Sequence, residues 1–142
     1  MKNFHYLLVF CASLSLLTLS SCEDDLLNDL EQDIIGEWVV DDYVFSGNNL
    51  SENGVIDDMR FIFDSNLGVE VSWFEGNEFF IVVGDWSGDE ADPSLSIDLE
   101  NDVFFFCDDN DITFNVFFFA GDMQLDTDCG GDDWMEIQLE RL

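Results

Sequence analysis

The stretch Ile112-Thr113-Phe114-Asn115-Val116-Phe117-Phe118-Phe119 decides the fold class. Ile112, Phe114, Val116 and Phe118 recur every second residue, which puts one apolar row on a single face of an extended strand. A helix would scatter the same residues around its circumference. The same period runs through Leu95, Ile97 and Leu99, and through Met59, Phe61 and Phe63, which alternate with Arg60 and Ile62. Working outward, β-forming runs fall at residues 37–45, 69–74, 78–83, 103–107 and 134–142, with a short one around Met123 and Leu125. Ser46-Gly47-Asn48-Asn49, Ser65-Asn66-Leu67-Gly68 and Glu75-Gly76-Asn77 are turn clusters between them. Residues 108–111 make an acidic turn, and residues 85–93, with the only proline, read as a polar loop. About eight to ten short antiparallel strands at this spacing predict an all-β fold, an up-and-down β-barrel or a sandwich. A barrel removes free edges. That matters for Phe104-Phe105-Phe106 and Phe117-Phe118-Phe119, which are aggregation-prone by composition and flanked by Asp102, Asp108, Asp109 and Asp122 as gatekeepers.

The N-terminal residues have a different character. Lys2 precedes an apolar run, Leu7-Leu8-Val9-Phe10 and then residues 14–19, which ends in Leu19-Ser20-Ser21-Cys22. This order is that of a secretory signal. The run from Phe4 to Leu19 falls short of the ~20 residues that span a bilayer. Leu19-Ser20-Ser21-Cys22 resembles the lipobox of bacterial lipoproteins, in which the Cys becomes the acylated first residue. The resemblance implies a signal peptide at residues 1–21, lipidation at Cys22 and a membrane anchor made of acyl chains, several of which hold firmly where one does not. Glu23-Asp24-Asp25 resembles the acidic surface-export signal of Bacteroidota lipoproteins, implying cell-surface display on the outer membrane. Its alternative is a solvated tether on the periplasmic face. Residues 22–33 are this tether, and Leu26, Leu27, Leu30, Ile34 and Ile35 are spaced for a short N-terminal helix or turn leading into a single domain at residues 34–142.

Composition narrows the chemistry. Lys2 and His5 lie in the leader, so the remainder has Arg60 and Arg141 as its only bases against 33 acids, a net charge of −31. Such a chain repels nucleic acid and anionic headgroups. Without His there is no Ser-His-Asp or Cys-His system, nor the common catalytic zinc ligand. Without Lys there is no Schiff base and no phosphate-binding loop. Carboxylate chemistry remains, but with 33 acids a pair at glycosidase spacing arises by chance. The expectation is a protein that is not an enzyme. Cys107 and Cys129 are the cysteines left after Cys11 in the leader and Cys22. An exported chain favours their pairing, worth about 3 kcal/mol by loop entropy.

Ile35-Gly36-Glu37-Trp38 opens the first strand and Glu140-Arg141-Leu142 ends the last. With the lipobox and acidic tether, a Gly-x-Trp first strand and a terminal Arg resemble the lipocalin-like family of bacterial lipoproteins. The resemblance covers residues 34–142. It implies an up-and-down barrel in which Arg141 lies across the Trp38 ring and closes one end, a contact worth roughly 0.5–2 kcal/mol. The high Phe and Asp content departs from the family, so no family ligand carries over.

Two readings of the interior follow. A barrel of about eight strands is just wide enough for one small apolar ligand, and Phe61, Phe63, Trp73, Phe80, Phe105, Phe114, Val116 and Phe118 are its candidate lining. Alternatively these aromatics fill the barrel, leaving a monomeric surface module whose loops meet a protein or glycan partner. Asp126, Asp128, Asp132 and Asp133, around Gly130-Gly131, are a candidate Ca²⁺ loop. It is not an EF-hand, because position five is Gly130 and position twelve is Ile137. Asp85, Ser87, Asp89, Glu90 and Asp92 form a second acidic cluster. No cofactor is otherwise expected.

Overall fold

The computed structural model describes residues 27–51, 57–100, 107 and 111–142. A short helix, α1 (Asp29–Ile34), precedes nine strands: β1 (Gly36–Phe45), β2 (Asn48–Asn49), β3 (Asp57–Phe63), β4 (Gly68–Glu75), β5 (Glu78–Asp89), β6 (Ser94–Leu99), β7 (Asp111–Phe119), β8 (Asp122–Gly130) and β9 (Asp133–Arg141). Every neighbouring pair is antiparallel, in the order β2-β1-β3-β4-β5-β6-β7-β8-β9, and β1 also pairs with β9. That last pairing closes eight strands into an up-and-down barrel of lipocalin-like form, with β2 as an extra flap on β1.

The alternating rows make the core. Leu95, Ile97 and Leu99 of β6, Phe114 of β7, Met123 and Leu125 of β8, and Met135, Ile137 and Leu139 of β9 are all essentially buried. Each large apolar side chain so buried contributes about 1.5–3 kcal/mol. Tight turns fit their residues. Ser46-Gly47 and Ala120-Gly121 both have positive φ at each position, the backbone that joins twisted strands in two residues.

Two strands differ from the sequence expectation. Residues 85–93 are not one polar loop, because β5 continues to Asp89. Trp86 points inward beside Phe63, with ring centroids 5.3 Å apart, and its backbone N–H donates to Leu67 O. At Gly84 the strand lies close against β6, where any Cβ would collide with the Asp98 carbonyl. Only glycine permits this close approach of the two backbones. The second difference is β8, which runs to Gly130 rather than stopping soon after Leu125, so Asp126 and Asp128 are strand residues. The expected strand at 103–107 lies outside the described residues except for Cys107.

Candidate functional site

The end of the barrel carrying α1 holds a connected set of polar contacts. Asn28 caps the helix. Its side chain accepts from Glu31 N at 2.8 Å, and Glu31 Oε2 accepts in return from Asn28 N at 3.0 Å. This capping box satisfies two helix donors reciprocally. It also seats the helix. Glu31 Oε1 accepts from Gly88 N at 3.2 Å, and Asn28 Nδ2 donates to Gly88 O at 2.9 Å. The seat works because Gly88 has no side chain, since a Cβ there would lie 3.0 Å from Glu31 Cγ. Leu30 and Ile34, one turn apart, turn into the barrel mouth and are buried.

The other end of α1 is held by the two residues singled out as a closure. Trp38 Nε1 donates to Ile34 O at 2.7 Å. Arg141 Nη2 donates to Ile35 O at 2.6 Å and to Asp33 O at 3.3 Å. The guanidinium carbon stands 5.0 Å from the Trp38 ring centroid. Carbonyls left without partners at a helix end are thus satisfied by an indole and a guanidinium. Gly36 makes the approach possible. Its φ of +141° favours glycine, and a Cβ would lie 3.4 Å from Arg141 Nη2.

Beside this helix lies a groove of about 420 Å³, bounded by α1, the β5–β6 turn and the end of β7. Leu30, Pro93 and Val116–Phe119 give it an apolar surface, and Asp29, Asp33 and Glu90 stand around it. The Val116 N–H donates to Pro93 O, which fixes the turn against β7. Phe117, Phe118 and Phe119 are 44%, 39% and 58% exposed.

The candidate pocket residues divide between two places. Phe61, Phe63, Trp73 and Phe114 are buried inside the barrel, where Phe61 stacks on Phe63 at 5.9 Å and Trp73 on the half-buried Phe80 at 5.3 Å. Val116 and Phe118 reach the groove instead. Phe118 shares the inward face with Phe114 and Val116, but sits at the strand end, where the row passes over the barrel rim. Phe105 lies outside the described residues, as does Cys22. Sequence reasoning missed the acidic side of the groove. Asp29, Asp33 and Glu90 come from two separate segments, and only the folding of β5 under α1 brings them together.

Cys107 and Cys129 are joined in a disulfide, with Cα atoms 5.0 Å apart. It lies at the end of the barrel away from α1, at the end of β8. The candidate Ca²⁺ residues do not converge. Asp126 accepts from Gln124 Nε2, Asp128 accepts from Gly130 N, and Asp133 accepts from Ser46 Oγ across the barrel end. In the second acidic cluster, Asp85, Ser87 and Asp89 lie along the outward face of β5, and Asp89 accepts from Ala91 N. Among the described residues no group of three or more His, Cys, Asp or Glu side chains could hold a metal ion. No helix among them is long and apolar enough to cross a membrane.

No family model, curated protein or solved structure matches this chain.

Proposed function

We propose that this chain is an exported, non-catalytic lipoprotein, anchored by acyl chains on Cys22 and displayed on the outer membrane surface, whose lipocalin-like barrel holds a small apolar ligand at its α1 end. The groove between α1 and β7 carries the proposal. Its volume of about 420 Å³ falls within the ordinary range of small-ligand sites. Its apolar surface includes Val116 and Phe118, two of the residues that pattern alone puts on the ligand-facing row. The packed rings of Phe61, Phe63 and Trp86, the first two stacked and the last edge-on, favour this rim over the barrel interior, because a ligand inside would have to displace them.

The tether supports the same placement. Asn28 is six residues from Cys22, a reach of roughly 20 Å when extended. A barrel anchored so closely presents its α1 end to the bilayer, where apolar small molecules are concentrated.

The test uses the chain exported by a host that acylates lipoproteins. Labelled fatty acid should appear on the protein and be lost in Cys22→Ser. The Cys22→Ser form, purified without detergent, should retain a mass of a few hundred daltons in a native spectrum, released on denaturation. Absence of label refutes the anchor. An empty protein that also takes up no apolar dye refutes the ligand site and leaves a filled-core surface module.

A further inference from the structure

We infer that the groove between α1 and β7 selects an amphiphile with a cationic head, an alkyl or aromatic body carrying an amine. This rests on the groove's being the ligand site. The argument is one of charge. Asp29, Asp33 and Glu90 border an apolar surface formed by Leu30, Pro93 and residues 116–119. The three carboxylates are exposed at the rim, so a neutral apolar ligand lying there would gain nothing from them. An anionic ligand such as a fatty acid would be repelled. The protein supplies no cation of its own. Beyond the leader it has two bases, Arg60 and Arg141. Arg60 pairs with Glu37 at 3.1 Å. Arg141 is committed to the Trp38 ring and to the carbonyls of Asp33 and Ile35. Among the described residues none of the three groove carboxylates has a basic partner, so a positive head on the ligand is what completes the site. The phenylalanines at the end of β7 that line the groove would receive the apolar body, and a ring face there can take the cation.

Three probes of one chain length separate the terms: decylammonium, decanol and decanoate, each added to the detergent-free Cys22→Ser chain. Binding is read by calorimetry and located by the methyl resonances of Leu30 and Val116. Decylammonium should bind most tightly and shift both residues, decanol should bind more weakly, and decanoate should be excluded. Replacing the groove acids together, Asp29→Asn, Asp33→Asn and Glu90→Gln, should weaken decylammonium about tenfold, the sum of three exposed charge contacts, and leave decanol unchanged. An equal change of net charge on the outer wall, Glu70→Gln, Asp85→Asn and Asp98→Asn, should have little effect. If both triple variants weaken decylammonium alike, the cation is attracted only by the overall charge and the inference fails. If decanol binds as tightly as decylammonium and shifts the same residues, the inference fails while the groove remains the ligand site. If no probe shifts Leu30 or Val116, the groove reading itself falls.

Discussion

Tyr43 shows how one residue can be misplaced by simple alternation. Counting in twos from Trp38 puts Asp42 and Val44 inside the barrel. Instead the β1–β9 register slips between Val40 and Asp42, and Tyr43 becomes the buried residue. The bulge keeps a carboxylate out of the core and substitutes a ring. Burial pushes the Tyr43 phenol well above its ordinary value, because the phenolate would lose its hydration. In the unfolded chain the phenol ionises near pH ~10, while in the folded chain it stays protonated beyond that. Tyr43 therefore contributes stability in full below pH ~10 and loses it as the pH climbs towards the folded value. With the leader removed, Tyr43 is the sole tyrosine, since the other is Tyr6. Ultraviolet absorbance during an alkaline titration should show no phenolate until circular dichroism reports unfolding. Phenolate appearing in a still-native barrel would contradict the burial.

At the scale of elements, α1 is too short to persist alone. Its six residues hold because both ends are bonded to the barrel, through Glu31 and Gly88 at one end and through Trp38 and Arg141 at the other. Arg141→Ala should lower unfolding stability by about 1–2 kcal/mol, combining a ring contact with charge-assisted bonds. Arg141→Lys should recover less than half of that in urea titrations, because an ammonium cannot lie flat on the indole while reaching two carbonyls. The Trp38–Arg141 pairing was legible only through the family resemblance, in which a Gly-x-Trp on the first strand and an Arg on the last meet across the closing seam. The end of β5 was not legible. In Gly84-Asp85-Trp86-Ser87-Gly88-Asp89 the inward positions include two glycines, so the alternation is present but reads by composition as a loop. Since β5 and the turn after it seat α1 and supply Glu90, the groove was hidden with them.

For the whole molecule, the antiparallel strands were visible in the repeated two-residue period, which left a barrel and a sandwich both open; the closing β1–β9 pairing was not in the period, nor were the partners across each strand, because register depends on bulges and turns. The barrel is secured differently at its two ends. One is plugged by α1, and the other is tied by Cys107–Cys129, separated by 22 positions in the chain. Replacing both cysteines by serine should remove about 3 kcal/mol from the unfolding free energy, read from the denaturant midpoint, while the α1 groove keeps its ligand affinity. Loss of that affinity would mean that the two ends are coupled.

The closing pair of strands also sets how the barrel answers to force. β1 and β9 run antiparallel, and Trp38 faces Arg141 at the end where α1 lies. Tension applied between Asp33 and Arg141 would part this ladder rung by rung, beginning at that pair, as a zip opens. Tension between Asp33 and Asp133, at opposite ends of the same ladder, would slide the two strands along each other and load every rung together. A tug across the seam therefore meets little resistance, and a pull along the axis meets the whole ladder at once.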